Sequence, residues 1–434
     1  MMEKEFDINK KILIPKELFI KYICGYYIVL SKEKPNWLVL DKVQYRLFTF
    51  LRDNTLLSAL EQFQRDSDYS EEDCVHLLQQ ILSKIDAVNF YEDTMTYEEE
   101  SIDLIVKSLH ITTTTDCNLR CKHCYMAAGI NSQEYIDLDK IKQKIKAISF
   151  FYGRKLDIVV SGGEPLLHPE IFNFLLDIKS HTVTLFTNGL LITQDNIEYI
   201  VEACDAVQVS MEGISKSSFE SIRGSNTYDV FLRSLSLLVT SGIKIVLAIT
   251  VLPSTIEDVK ENLVTFIKNL NCENVEVRLN HLIEMTGNAR LNLQGQEHSS
   301  MIEQDMLDLV KSLENIGISY ENKAERNIRF TNCGIGASIV FEPNGKIYPC
   351  SKYSDFYKTI DDDTDDIIEY FDSLNIKSSC KYMVSCQHCE LKYICAGGCR
   401  IDNYVLKRDM TTPICDNKFK DEQYRRLLKE YLRE

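Results

Sequence analysis

The chain has 434 residues, more than one compact core usually organises, so its length predicts two or three domains. It carries 49 Lys and Arg residues against 65 Asp and Glu residues, a formal charge of −16, which argues against nucleic acid or an anionic membrane as the main partner. No apolar run is long enough to span a membrane, and the first residues lack the apolar core of a signal peptide. These features predict a cytoplasmic protein without a membrane or nucleic-acid partner.

The first 95 residues predict short strands followed by amphipathic helices. Apolar or alternating runs at residues 12–14, 26–30 and 37–40 predict three strands separated by turn-forming residues. Three stretches with helical spacing of apolar residues follow. The pattern predicts a small winged-helix-like domain over residues 1–95 and a linker over residues 96–107.

From residue 108 the pattern alternates between apolar strands and amphipathic helices, which indicates a parallel α/β fold. The predicted strands are residues 109–114, 156–160, 182–186, 206–209, 244–251 and 274–279. Six strands with intervening helices predict a partial (β/α)6 barrel of the TIM type over residues 108–320. Ligands of such a barrel bind where the loops leave the carboxyl ends of the strands.

Fifteen cysteines in a chain of this kind favour metal binding over disulfides, because the expected compartment keeps thiols reduced. Three of them, Cys117, Cys121 and Cys124, form a C-x3-C-x2-C loop directly after the first strand of the predicted barrel. This spacing suits a [4Fe–4S] cluster with three protein ligands, which leaves one iron open. The alternative is a zinc site made by the same three cysteines and His123.

Polar or glycine-rich turns follow the next three predicted strands. They are Ser-Gly-Gly-Glu-Pro at residues 161–165, Thr-Asn-Gly at 187–189 and Ser-Met-Glu-Gly at 210–213, with Ile-Arg-Gly at 222–224. Because the carboxyl ends of parallel strands meet on one rim, these turns and the cysteine loop together predict a ligand site. Each residue could instead serve an ordinary turn.

The cysteine loop and the Gly-Gly-Glu-Pro turn resemble the hallmarks of the radical S-adenosylmethionine (radical SAM) superfamily, over about residues 108–290. The resemblance implies that Cys117, Cys121 and Cys124 are the catalytic residues, holding a [4Fe–4S] cluster whose open iron chelates S-adenosylmethionine. It also implies that Gly162, Gly163 and Glu164 meet the methionyl amine, that Ser210 and Arg223 contact ribose and carboxylate, and that Tyr125 flanks the adenine. Pro165 and Asn188 complete the implied cofactor-binding set.

Seven of the eight remaining cysteines after residue 330 have a recognisable spacing: Cys333, Cys350, Cys386, Cys389, Cys395, Cys399 and Cys415. The spacing resembles the SPASM domain of peptide- and protein-modifying radical enzymes, over residues 325–420, ahead of a C-terminal helix at 421–434. The resemblance implies that Cys386, Cys389, Cys395 and Cys415 hold an outer auxiliary [4Fe–4S] cluster, and that Cys333, Cys350 and Cys399 hold an inner one. Either Cys380 or a substrate thiolate would complete the inner cluster. A zinc ribbon would use four of the seven and leave three unexplained.

The three modules together resemble maturases of ribosomally made peptides, in which a PqqD-like element, here residues 1–95, docks a leader peptide as an added strand. The arrangement looks most like the subtilosin-type (sactipeptide) maturases, which form cysteine-sulfur-to-carbon thioether crosslinks. The resemblance implies a precursor peptide bound through its leader and a low-potential electron donor such as flavodoxin or ferredoxin. The alternatives are a maturase of a full-length protein, a peptide cyclase that forms carbon–carbon crosslinks, and a non-catalytic zinc-binding adaptor.

Overall fold

A computed structural model describes residues 7–433 except for the segments 33–34, 93–107, 129–132, 282–285, 294–299, 319–329 and 353. The chain divides into two compact units. The first unit comprises Met1–Asp103, Lys323–Cys333 and Ile376–Glu434, and the second comprises Leu104–Asn322 and Gly334–Asn375. The linker predicted at residues 96–107 lies outside the described residues, and the domain boundaries given above stay a prediction.

The first unit begins with three antiparallel strands and three helices, in the order that the sequence predicts. The strands are β1 (Leu18–Ile23), β2 (Tyr26–Ser31) and β3 (Asn36–Leu40), with β2 between the other two. The helices are α1 (Lys42–Leu51), α2 (Leu56–Arg65) and α3 (Glu71–Ala87). Each helix begins after a side-chain N-cap, which is Asp41, Thr55 or Ser70 and accepts a main-chain hydrogen bond in the first turn.

The strand predicted at residues 12–14 is wrong. Ile12 and Ile14 are buried, but they lie in irregular chain, and the first strand is β1. The error has a physical reason, because β1 is an edge strand whose residues are mostly half-buried and therefore shows little apolar alternation. The two buried isoleucines are separated by one residue and pack against the helical core, so the sequence shows the alternation that is typical of a strand.

The second unit is a mixed α/β structure built on one sheet with a parallel core. Its first six strands are β4 (Ser108–Thr112), β5 (Asp157–Ser161), β6 (Thr182–Thr187), β7 (Ala206–Met211), β8 (Lys244–Thr250) and β9 (Val275–Asn280). Each pairs in parallel with the next along the chain. The helices are α4 (Leu138–Tyr152), α5 (Ile171–Ile178), α6 (Ile197–Ala203), α7 (Lys216–Arg223), α8 (Tyr228–Ser241), α9 (Ile256–Leu270), α10 (Gly287–Asn292) and α11 (Ser300–Glu314).

The two faces of these six strands differ in polarity. On each strand, every second residue, such as Leu109 and Ile111 on β4, belongs to the apolar core shared with the helices. The alternate positions include His110, Gln208 and Arg278, and the Arg278 guanidinium donates to the Gln208 amide oxygen at 2.9 Å. Because strand side chains alternate between faces, this polar face lies opposite the helical core. The predicted parallel α/β fold of this region is confirmed.

Three short strands extend the sheet beyond β4, where the sequence indicated only loops. They are β10 (Ser338–Phe341), which pairs in parallel with β4, then β11 (Lys346–Tyr348) and β12 (Lys358–Thr359), which add antiparallel pairs. Strands of two to four residues are too short to show a period of two in the sequence. The helix α12 (Thr364–Lys377) follows them.

The C-terminal part of the first unit contains α13 (Lys392–Cys395), α14 (Arg400–Lys407) and α15 (Asn417–Arg433). Helix α15 packs Tyr424, Leu427 and Leu428 against the face of the β1–β3 sheet that α1–α3 do not cover. The indole nitrogen of Trp37 donates to the carbonyl oxygen of Leu427 at 3.1 Å. No helix in the described part of the chain is both long and apolar enough to cross a membrane.

Candidate active site

The C-x3-C-x2-C loop leaves the carboxyl end of β4, as the sequence predicts. Cys117, Cys121 and Cys124 are half-buried free thiols, and all three are close enough to affect one another electrostatically. Burial raises the pKa of the Cys121 thiol to about 12, against the lowering effect of the Arg223 guanidinium. The main-chain N–H of Leu119 donates to Sγ of Cys117 at 3.4 Å. Three thiols with an N–H···S contact fit the donor set of an iron–sulfur cluster.

A single-ion site is not favoured by the same geometry. Within the described residues, no group of three or more His, Cys, Asp or Glu side chains could hold one metal ion. His123, the fourth ligand of the zinc alternative, instead places Nε2 3.5 Å from Oε1 of Glu212. A [4Fe–4S] cluster does not require the thiolates to converge on one atom, because each binds a different iron.

The Gly-Gly turn after β5 packs directly on the cysteine loop. The N–H of Gly163 donates to the carbonyl of Thr114, and the N–H of Glu164 donates to the carbonyl of Asp116, both at 2.8 Å. A Cβ atom on Gly163 would lie 2.1 Å from the Asp116 carbonyl oxygen, and one on Gly162 would lie 2.7 Å from that of Thr114. Only glycine permits this approach of the two main chains.

The carboxylate of Glu164 is buried and joins the tips of β5 and β6. It accepts hydrogen bonds from Oγ1 of Thr187 and the N–H of Asn188, each at 2.8 Å, and from the N–H of Leu166 at 3.2 Å. Burial raises its pKa despite these donors. Pro165 is also buried and starts a short 3-10 turn. The structure thus gives Glu164 a scaffolding position, and its predicted contact with a ligand amine stays a prediction.

A buried ion pair between Arg223 and Glu212 connects the tips of β6 and β7. Nε of Arg223 donates to Oε2 of Glu212 at 2.5 Å, and both side chains are almost completely buried. The other guanidinium nitrogens donate to the carbonyl oxygens of Asn188 at 2.9 Å and Ser210 at 2.5 Å. Burial alone would raise the pKa of Glu212, but Arg223 and His123 hold it below its usual value. Arg223 thereby positions the loop tips that were predicted to surround the ligand.

The remaining predicted contacts lie at the same rim. The amide nitrogen of Asn188 donates to Oδ1 of Asn118, inside the cysteine loop, at 2.7 Å. The Tyr125 side chain is about half exposed, directly after Cys124. The structure therefore brings the cysteine loop and the tips of β5, β6 and β7 together, as the spacing along the chain predicts.

The first turn of α10 supports the cysteine loop and was missed in the sequence. The N–H of Asn288 donates to the carbonyl of Cys124 at 2.8 Å, and its amide nitrogen donates to the carbonyl of Cys121 at 3.2 Å. A Cβ atom on Gly287 would lie 2.3 Å from the carbonyl oxygen of Tyr125. The available signal was a Thr-Gly-Asn turn beyond the sixth strand of the barrel, similar in composition to the Thr-Asn-Gly turn at residues 187–189.

Four cysteines of the first unit line a second candidate site. Cys386, Cys389, Cys395 and Cys415, the predicted ligands of the outer cluster, line a small cavity of about 20 Å³. Burial raises the pKa of Cys386 to about 11, and the nearby thiols add to this effect. Lys392 and Lys420 also line this cavity. Four thiols around one cavity fit the ligand set of a [4Fe–4S] cluster.

The cysteines of the predicted inner cluster belong to both units. Cys333 and Cys399 are in the first unit, whereas Cys350 follows β11 in the second. Cys380 is fully buried, and its N–H donates to the carbonyl of Thr331, two residues before Cys333, at 2.8 Å. The composition of an inner cluster stays a prediction.

A family model described as the radical SAM superfamily matches residues 111–265. This part of the chain is a radical SAM domain. The subtilosin biosynthesis protein AlbA of Bacillus subtilis (strain 168) is 26% identical over 261 residues, which are 56% of this chain and 55% of AlbA. A probable GTP 3',8-cyclase of Methanococcus aeolicus is 30% identical over 146 residues, 32% of this chain and 48% of the cyclase. The chain spans about half the length of these curated relatives.

Solved structures share the fold of this chain at low identity. Streptococcus suis SuiB bound to its precursor peptide SuiA superposes with a TM-score of 0.57 at 14% identity, over 94% of this chain and 99% of SuiB. The structure of anSMEcpe with bound AdoMet and a Cp18Cys peptide gives a TM-score of 0.53 at 21% identity, over 68% of this chain and 88% of that one. These likenesses confirm the mixed α/β fold with a parallel sheet.

Proposed function

We propose that the chain is a radical SAM enzyme that modifies a ribosomally made precursor peptide. The observation that carries the proposal is the cysteine loop at the rim of the sheet. Asn288 bonds the carbonyls of Cys121 and Cys124 in this loop, and Glu164 and Arg223 connect the neighbouring loop tips. The relative AlbA, named for subtilosin biosynthesis, supports a peptide substrate. The GTP 3',8-cyclases match a similar stretch, so the domain match by itself does not select the substrate.

In this proposal each group at the rim has a defined task. Cys117, Cys121 and Cys124 hold a [4Fe–4S] cluster, which when bound supplies the electron that cleaves S-adenosylmethionine to methionine and a 5′-deoxyadenosyl radical. Gly162 and Gly163 leave room for the cofactor's methionyl end beside the cysteine loop. The Arg223–Glu212 pair keeps the loop tips in place. Because buried hydrogen bonds already hold these side chains, they need little reorganisation when a ligand binds.

The second part of the proposal is a SPASM-type region with auxiliary clusters. Its support is the cavity of the first unit, which Cys386, Cys389, Cys395 and Cys415 line. Cys333, Cys350 and Cys399, with Cys380 or a substrate thiolate, would hold a second auxiliary cluster. The fifteen free thiols suit a reducing compartment, and we therefore propose the cytoplasm and a donor such as flavodoxin or ferredoxin.

The third part is recognition of a leader peptide by a PqqD-like element at residues 1–95. The support is a three-stranded sheet with helices on one face, whose outer strand β3 is the edge predicted to receive an added strand. The carbonyl oxygen of Val39 on β3 already accepts a hydrogen bond from Nζ of Lys84 at 3.0 Å. A leader strand added at β3 would take the place of this contact.

Metal analysis and product analysis test the enzymatic proposal. Three four-iron clusters require about twelve iron and twelve sulfide per chain. Replacing Cys117, Cys121 and Cys124 together by Ala should remove about four iron and abolish 5′-deoxyadenosine formation. The control Cys204→Ala removes a buried thiol of the helical core and should leave both readouts unchanged. Deoxyadenosine formation by the triple variant would refute the assignment.

The bond type is tested on a short cysteine-containing peptide encoded beside the gene. Formation of a thioether joins a cysteine sulfur to a carbon, removes one hydrogen from each, and consumes one alkylable thiol. A carbon–carbon crosslink removes the same two hydrogens but leaves the thiol reactive. Mass spectrometry after alkylation separates the two, and we expect the thiol to be lost. A peptide of unchanged mass, with deoxyadenosine still produced, would point to a full-length protein substrate instead.

A further inference from the structure

Arg400, the first residue of α14, has no acidic partner among the described residues although it is completely buried. Its guanidinium donates to three main-chain carbonyls, those of Ser378 and Ala396 at 2.6 Å and that of Gly398. Arg223, the other fully buried arginine discussed above, has Glu212 as its counter-charge. A buried guanidinium without a carboxylate is costly, because carbonyl dipoles only partly replace water around the charge.

Thiols take the place where carboxylates would be expected. Cys333, Cys380, Cys386 and Cys395 are close enough to Arg400 for their negative forms to act on its charge. All four belong to the first unit. Two of them, Cys386 and Cys395, line the thiol cavity described above.

The hydrogen bonds of Arg400 also shape one wall of that cavity. Ala396, Gly397 and Gly398 are three successive residues with positive φ, at +52°, +82° and +75°. Such a turn is unfavourable for the chain alone, above all at an alanine. Arg400 bonds the carbonyls of the first and the third, and Gly397 between them lines the cavity. The side chain thus holds the turn that separates Cys395 from Cys399.

We propose that Arg400 is a positioning residue for the outer auxiliary cluster: it holds the Cys395–Cys399 turn in its ligating shape and supplies the buried counter-charge of the cluster. The inference rests on the proposed auxiliary cluster at Cys386, Cys389, Cys395 and Cys415. Four thiolates give such a cluster a net negative charge, and one added electron makes that charge more negative. A fixed positive charge stabilises the reduced form more than the oxidised form and so raises the reduction potential.

The test uses the full chain in which Cys117, Cys121 and Cys124 are replaced by Ala, so that only auxiliary clusters remain. Arg400→Met removes the charge and the three hydrogen bonds, and Arg400→Lys keeps the charge. Lys407→Met, at an exposed position on the same helix, is the control for loss of a positive charge. Iron content and the midpoint potential from a redox titration followed by electron paramagnetic resonance are measured for each.

We expect Arg400→Met to lose auxiliary iron or, where iron is retained, to shift one midpoint potential to a more negative value. Arg400→Lys should keep a potential close to that of the parent, and Lys407→Met should match it. If Arg400→Met yields no folded protein, Arg400→Gln, which removes the charge but keeps a hydrogen-bond donor, provides the second measurement, with a negative shift expected. Iron content and potentials that are unchanged in Arg400→Met, or in Arg400→Gln where Arg400→Met does not fold, would overturn the role of Arg400. A parent without iron would overturn the auxiliary cluster itself.

Discussion

At the scale of single residues, the candidate active site depends on buried charges that contact the scaffold. Arg223 and Glu164 were singled out as ligand contacts, yet both are held by hydrogen bonds to neighbouring loop tips, Arg223 to the carbonyls of Asn188 and Ser210 and Glu164 to the N–H of Asn188. Their burial makes each partner indispensable, because a charge left alone in the interior cannot be solvated. Two predictions concern buried groups of the second unit, Glu212 and His110.

Glu212→Gln should destabilise the protein strongly, because it leaves Arg223 without a counter-charge. The expected loss in the free energy of unfolding is about 3–5 kcal/mol, measured by urea unfolding of the cluster-free chain. The matched control is Asp229→Asn, which breaks an exposed pair with Lys216 and should change stability little. Similar losses for the two variants would show that burial of the Arg223 pair does not govern its contribution.

His110 should make the stability depend on pH. Burial lowers its pKa below 6.5, and it faces Oγ of Ser161 and the ring of Phe186. Below pH 6.5 the unfolded chain therefore binds a proton at this position before the folded chain does, so the free energy of unfolding should fall as the pH decreases through this window. His110→Gln should make the slope shallower by at most about 1.4 kcal/mol per pH unit. Equal slopes in urea unfolding across pH 5–7 would contradict this prediction.

At the scale of secondary-structure elements, α15 is the element whose packing the sequence did not reveal. Its amphipathic pattern predicts a helix, but not the surface that it covers. The structure places it on the second face of the β1–β3 sheet, where Tyr424 and Leu427 meet Trp37. The same apolar cluster includes Leu391 and packs against Cys389 and Cys395. One core therefore supports both the N-terminal sheet and the thiol cavity.

Leu427→Ala should open this core. Truncation of a fully buried leucine typically costs about 2–5 kcal/mol, which should appear in urea unfolding. Trp37 is the only tryptophan of the chain and is buried beside Leu427, so its fluorescence emission should move to longer wavelength in the folded variant. Lys418→Ala, at an exposed position of the same helix, should show neither effect. Unchanged emission in Leu427→Ala would argue against the contact.

At the scale of the whole molecule, the units do not follow the order of the chain. The first unit unites the N-terminal segment with the C-terminal cysteines, and the second unit contains the radical SAM domain. The sequence predicts a peptide-recognition domain at residues 1–95 and, as a different domain, the cysteine-rich region at residues 325–420. The shared core of β1–β3 and α15 predicts the opposite, that the N-terminal segment cannot be removed without harm to the thiol cavity.

Deletion of residues 1–92 should therefore reduce the iron bound by the auxiliary region. The deletion exposes Leu391, Leu427 and Leu428, and the helix that carries Lys420 loses its support. Iron bound at Cys117, Cys121 and Cys124 should remain, because these residues lie in the other unit. Comparing iron content in the deletion variant with and without the triple Cys→Ala change measures the two parts separately. Full auxiliary iron in the deletion variant would contradict the prediction.

The local chemistry of this protein can be read from the sequence to a large extent. The cysteine loop, the Gly-Gly turn and the parallel strands leave signals of short range, a fixed spacing or a period along the chain, and the structure brings them together at one rim. The sequence did not predict the strands β10–β12, since segments of two to four residues are too short to show a period of two. It also predicted a strand wrongly at residues 12–14.

The sequence by itself determined the spacing of the thiols and the order of the parallel strands, because thiol spacing and strand alternation are local properties. Only the tertiary structure decided which polar residues are scaffold. Glu212, Asn288 and Arg400 owe their importance to burial and to partners far apart in the chain, such as Cys121 for Asn288 and Ser378 for Arg400. Burial depends on contacts that no local pattern specifies, and it is burial that turns an ordinary charge or amide into an indispensable one.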